Sequence, residues 1–121
     1  MANIIIVEDE AIVAMESKMN LHFAGHHIVA IVSSAEAALK AFDLEKPDLF
    51  LMDIKLRGEM DGIEAMIIIR QQSNVPVVFL TGNSDARTRA RVGDITNASF
   101  LQKPILTAEI VDEINKVLSK N

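Results

Sequence analysis

Residues 48–53 read DLFLMD, and how this run is taken decides the fold. Four apolar residues stand unbroken between two carboxylates. The run is too short for a buried helix and lacks the alternation of a half-exposed strand. It reads as a strand over residues 48–52, covered on both faces and ending directly at Asp53. Downstream, residues 76–80 (PVVFL) repeat the pattern and end at Thr81. Residues 98–101 (ASFL) form a shorter strand before Gln102-Lys103-Pro104. Upstream, residues 27–32 (HIVAIV) and the β-branched residues 3–7 (NIIIV) supply two more. Five strands are expected.

The stretches between them carry helical spacing. Residues 11–24 carry helical spacing at Ile12, Met15, Met19 and Phe23, with Gly25 as a stop. Ser33 and Glu36 suggest a capping box before Ala38, Leu39 and Phe42, and Pro47 ends that helix. Gly58 and Asp61-Gly62 mark turns before a helix over 63–72, although Ile67-Ile68-Ile69 taken alone resembles a strand. Residues 84–94 form a polar helix on which Arg87 and Arg91 share a face, read as solvated. Residues 107–119 form a helix capped by Thr107, burying Ile110, Val111, Ile114, Val117 and Leu118. His22, His26 and His27 show no metal-ligand spacing and read as surface or boundary residues, and the six Met residues as core filler. Strand and helix alternating five times implies an α/β fold: a parallel sheet covered on both faces, with one domain using residues 1–121.

Composition narrows the function. Half of the 121 residues are hydrophobic, enough to bury a core. A formal net charge of −5 argues against direct nucleic-acid binding. Without cysteine there is no disulfide framework and no thiolate chemistry. No apolar run has the length of a membrane span, and MANIIIVEDE reaches charge too early for a signal peptide. A cytoplasmic location is the expectation.

In doubly wound sheets, ligands bind beyond the carboxyl ends of the strands, where strand order reverses. After the first strand come Glu8, Asp9 and Glu10; after the third, Asp53; after the fourth, Thr81, Gly82 and Asn83; after the fifth, Lys103. Carboxylates, a hydroxyl and an ammonium thus converge at one end of the sheet. Clustered carboxylates repel unless a cation is present. Mg²⁺ prefers such oxygen ligands and often shares phosphate oxygens with its site. Together with a lysine and a hydroxyl, this suits phosphoryl transfer, in which an aspartate can be the nucleophile.

The segments IIIVEDE, LMDIKLRGEMDG, VVFLTGN and SFLQKPI resemble, in order and spacing, the CheY-like receiver domains of two-component response regulators. The resemblance spans essentially the whole chain. It implies a flavodoxin-like five-stranded sheet of order 2-1-3-4-5 and a phosphorylation-operated switch rather than an enzyme. By position, it implies that Asp53 accepts the phosphoryl group. Mg²⁺, for which Mn²⁺ could substitute, would be held by Asp9, Asp53, Glu8 through water, and the Lys55 backbone carbonyl. Thr81 and Lys103 would stabilise the phosphoryl group, and Thr81 and Phe100 would form the switch pair. Lys55 and Asn83 would tune hydrolysis, and Lys103–Pro104 would be a cis bond. Implied partners are a sensor histidine kinase or a phosphotransfer protein, with a homodimer over the 84–119 face. The loop LRGEMDG is one residue longer than the common form, and Phe100 lacks the hydroxyl of the commoner Tyr.

Three other readings compete. The chain could be a receiver module cut from a hybrid or multi-domain sensor kinase, or an interaction module that works without phosphorylation. A flavin-binding domain of the same architecture would need a phosphate-cradling loop after the first strand, where this chain has acids.

Overall fold

The structure, a computed structural model, describes residues 1–83 and 85–120. Strands β1 (Asn3–Val7), β2 (His27–Val32), β3 (Leu49–Asp53), β4 (Val77–Thr81) and β5 (Ala98–Gln102) alternate with helices α1 (Ala11–Phe23), α2 (Ala35–Glu45), α3 (Gly62–Arg70), α4 (Ala86–Gly93) and α5 (Thr107–Ser119). The strands form one parallel sheet in the order β2-β1-β3-β4-β5. Ser84, the expected start of the fourth helix, lies outside the described residues.

Side-chain alternation along the strands builds two cores. Ile5, Val7, Phe50, Met52, Val77 and Phe79 face α2, α3 and α4. Ile4, Ile6, Leu49, Leu51, Val78 and Leu80 face α1 and α5. This two-sided burial is why β1, β3 and β4 read as unbroken apolar runs. Ile67-Ile68-Ile69 are helical: Ile69 is buried, while Ile67 and Ile68 are exposed. The stripe of α5 packs as expected, with Ile114 and Val117 buried and Ile110, Val111 and Leu118 half-buried.

Several local expectations are corrected. Helix α1 carries the spaced residues outward and buries Ala14, Ser17 and Leu21 instead. Ile12 is 76%, Met15 50%, Met19 55% and Phe23 81% exposed. Both faces of α1 carry apolar residues, so periodicity alone could not choose between them. The cap of α2 is Ser34, whose Oγ accepts the Ala37 N–H at 3.1 Å. Glu36 therefore sits one position too early for a capping box. The chain leaves α2 through Lys46 at φ 47°, one residue before Pro47. A capping box does form at α3, between Asp61 and Glu64. Leu106 caps α5 without a side-chain bond, and Thr107 instead accepts from Asn20 Nδ2 at 3.1 Å. His26 is buried rather than superficial. Of the methionines, Met52 and Met66 are core, while Met1, Met15 and Met19 are exposed.

Candidate functional site

Each strand end projects its polar residue because the backbone ladder runs one residue past it. Glu8 N–H donates to Val32 O at 2.9 Å, Ile54 N–H to Leu80 O at 3.0 Å, and Lys103 N–H to Thr81 O at 2.7 Å. These bonds fix Glu8, Asp53 and Lys103 beside the β1/β3 crevice, where the strand order reverses. Asp53 is itself the last residue of β3, not the residue after it.

Asp53 and Glu8 are buried, and Asp9 is half-buried. One oxygen from each of the three carboxylates falls in a group spanning no more than 4.8 Å. Lys103 Nζ lies 2.9 Å from Asp53 Oδ2 and 3.9 Å from Glu8 Oε1. Glu8 Oε2 accepts the Glu10 N–H at 3.1 Å, but buried Glu8 Oε1 accepts no hydrogen bond. Burial pushes the Glu8 carboxyl up to about 7; the Glu10 N–H opposes this, the Asp53 charge adds to it, and the Lys103 ammonium opposes it. Burial lowers Lys103, but the hydrogen bond and charge of Asp53, with the charges of Glu8 and Glu10, outweigh it and leave Lys103 above its ordinary value. Three carboxylates around one ammonium leave the pocket short of positive charge. An all-oxygen donor set with one orphaned buried acceptor fits a hard divalent cation.

Thr81 is buried at the end of β4. Its Oγ1 donates to Asn83 O at 2.8 Å and accepts the Asn83 N–H at 3.0 Å, so the hydroxyl is tied to its own loop. Asn83 bonds onward to Asp85, whose carboxylate caps α4 through the Thr88 N–H at 2.8 Å. That bond holds the Asp85 carboxyl below the usual carboxylate range. Phe100 is half-buried and faces Phe79 across β4 and β5. The Lys103–Pro104 bond is cis. The Lys55 side chain is exposed, two residues past Asp53. Glu8, Asp9, Asp53 and Lys103 are therefore brought together, while Thr81, Asn83 and Phe100 line the route from the site to α4.

Three further features were not foreseen. A Cβ at Gly62 would collide with the Asp53 carbonyl oxygen and lie 3.0 Å from Met52 Cγ, so the glycine permits close approach as well as a turn. Arg91 is half-buried and reaches Asp61 Oδ2 at 2.8 Å, tying α4 to the loop after Asp53. Arg57, in the lengthened loop, lies 3.9 Å from Asp9 Oδ2. The sequence signalled the first as a glycine before an apolar helix; the two arginine contacts join segments that only the fold brings together.

The sequence profile of the response regulator receiver domain matches residues 4–115. Among curated relatives, the chain is 31% identical to the transcriptional regulatory protein PdtaR of Mycobacterium tuberculosis, over 97% of this chain and 57% of that protein. It is 28% identical to the alkaline phosphatase synthesis transcriptional regulatory protein PhoP of Bacillus subtilis, over 98% and 49%. The chain thus spans about half the length of the curated relatives it matches. Among solved structures, it superposes on the signal receiver domain of a modulated diguanylate cyclase from Desulfovibrio desulfuricans with a TM-score of 0.88, at 26% identity and covering 99% of this chain and 95% of that one. A LuxR-family two-component response regulator from Aurantimonas superposes with a TM-score of 0.92, at 25% identity and covering 100% and 87%. With the strand order, the acidic crevice and the profile in agreement, this chain belongs to the response regulator receiver family.

Proposed function

We propose that residues 1–121 act as one phosphorylation-operated receiver in which Asp53 is the phosphoacceptor. The observation that carries this reading is the Asp53 carboxylate, buried beside Glu8 and Asp9 and held by Lys103 at 2.9 Å. An Asp53 carboxylate oxygen attacks the phosphorus of a phosphohistidine; the P–N bond breaks, and the imidazole leaves with a proton. Glu8, Asp9, Asp53 and the Lys55 carbonyl would hold Mg²⁺ or Mn²⁺, which supplies charge neutralisation for the phosphoryl oxygens. Lys103 is placed to follow the charge from carboxylate to phosphoryl group. The Thr81 hydroxyl exchanges its Asn83 partners for a phosphoryl oxygen, and Phe100 follows by changing rotamer. Lys55 and Asn83, beside the water approach, set how quickly the aspartyl phosphate hydrolyses.

The partner is a sensor histidine kinase or phosphotransfer protein. The exposed stripe of Ile12, Met15, Met19 and Phe23 supports docking along α1. A groove lined by Glu8, Asp9, Met15 and Ile31 joins that stripe to the acidic site. Self-association through the 84–119 face is supported by a groove in which exposed Arg89 and buried Val92 of α4 meet half-buried Phe100 of β5. No described helix is long and apolar enough to cross a membrane.

Incubation with Mg²⁺ and a small acyl phosphate tests the reading. Acid-stable, base-labile phosphate is expected, with none in excess chelator. Absence of uptake, or uptake indifferent to chelator, would overturn it.

A further inference from the structure

A second surface lies away from the phosphoacceptor pocket, between the start of α2, the lengthened loop after β3 and the outer side of α3. It is a groove of about 490 Å³ lined by Glu36, Glu59, Met60, Glu64, Ile67 and Ile68. Its apolar part is Met60 with two isoleucines, of which Ile67 is 51% and Ile68 37% exposed. Its rim carries three exposed glutamates and no cation. Among the described residues none of the three forms an ion pair, although Lys40 stands one turn along α2 from Glu36. Gly58 lets the loop lie against α2: a Cβ there would be 3.7 Å from Glu36 Oε1, and φ of +95° favours glycine.

Shape and charge together restrict what fits. Glu64, Ile67 and Ile68 stand at i, i+3 and i+4, so they form one continuous ridge of α3 onto which another helix can pack. Apolar anchors spaced at helical intervals would fill the floor, and basic residues on their flanks would meet the rim. A phosphate backbone or an anionic lipid surface would meet three like charges instead.

We propose that this groove is a docking site for a cationic amphipathic helix of a partner protein, distinct from the α1 stripe.

The test uses the full chain, ¹⁵N-labelled, and a synthetic helical peptide with Leu at i, i+3, i+4 and i+7 and Lys elsewhere. A second peptide carries Glu in place of Lys. The largest amide shifts are expected in residues 59–68 and at Glu36. The Glu36→Gln/Glu59→Gln double variant should weaken binding about five- to tenfold, since each rim charge contributes modestly. Both residues are exposed and outside the phosphoacceptor pocket, so uptake of phosphate should be unchanged. A Glu109→Gln/Asp112→Asn variant makes the same change in net charge on α5 and should bind as the parent does. The proposal is overturned if the peptide does not bind or its shifts centre on α1. It is equally overturned if the α5 variant weakens binding as much as the groove variant, or if the Glu peptide binds as tightly.

Discussion

The two ends of the sheet hold their polar groups in opposite states. At the amino-terminal end, His26 Nδ1 accepts the Ala2 N–H at 3.2 Å, and its Nε2 pairs with Asn115 Oδ1 at 2.8 Å. Asp48 Oδ2 accepts the Asn3 N–H at 2.7 Å, and Asn3 O accepts the Asp48 N–H at 2.7 Å. Both ring nitrogens of His26 have partners, and the cluster clasps β1, β2 and α5 together. At the carboxyl-terminal end, Glu8 and Asp53 share the Lys103 ammonium with a third carboxylate, Asp9, beside them, and a buried Glu8 oxygen has no hydrogen bond. A satisfied network stabilises the fold; an unsatisfied one stores the free energy that binding can release. The same sheet thus has a satisfied, structural end and an unsatisfied end, which is the reactive end under the proposed function.

This contrast can be broken from either side. The largest effect should come from Lys103→Met, which removes the ammonium 2.9 Å from Asp53 Oδ2, the one cation paired with Asp53 among the described residues. Phosphoryl uptake from a small donor should fall on the order of 100-fold, as when one preorganised charge partner is lost. A rate within threefold of the parent would place the stabilising charge elsewhere. At the structural end, His26→Ala should cost about 2 kcal/mol in urea unfolding by leaving the Ala2 N–H and Asn115 unpaired. Uptake at Asp53 should be unchanged, and a fall in uptake matching that of Lys103→Met would dissolve the distinction between the two ends.

A subtler effect concerns pH without metal. The Glu8 carboxyl is raised from 4.5 to about 7 in the folded chain. Below 4.5 it is protonated in both states and contributes nothing. Between 4.5 and 7 the unfolded chain releases the proton while the folded chain retains it. Stability therefore falls as pH rises, and the loss is complete above 7. In chelator, parent and Glu8→Gln should differ in this pH dependence, the variant losing less. Identical profiles would show that Glu8 is not held in its neutral form.

The smallest effect tests a local reading. Ser34→Ala should cost about 1 kcal/mol through the lost cap of α2, while Ser33→Ala should change stability by less than about 0.5 kcal/mol. The reverse ranking in thermal unfolding would restore the cap to Ser33.

How much the sequence disclosed follows the same division. The reactive end was legible because every contributing residue terminates a strand, and a strand buried on both faces announces itself by composition. Glu8, Asp9, Asp53, Thr81 and Lys103 could be aligned without knowing any contact between them. The structural end was not legible: His26 is one histidine among three, and its role depends on Ala2 and Asn115 meeting it from distant segments. The orientation of α1 was hidden for a different reason. Four of its larger apolar residues, Ile12, Met15, Met19 and Phe23, lie outward while Ala14, Ser17 and Leu21 are buried, and helical spacing describes both faces equally well. The Arg91–Asp61 pair likewise needs α4 and α3 placed side by side before its charges meet.

Chemical trapping identifies directly whether Asp53 is the residue that receives the phosphoryl group. After incubation with Mg²⁺ and an acyl phosphate, borohydride reduces an aspartyl phosphate to homoserine, which peptide mass spectrometry can locate. Homoserine is expected at position 53 in the parent chain and none anywhere in Asp53→Asn. Homoserine at another aspartate of the parent chain, or full phosphate uptake by Asp53→Asn, would contradict that role.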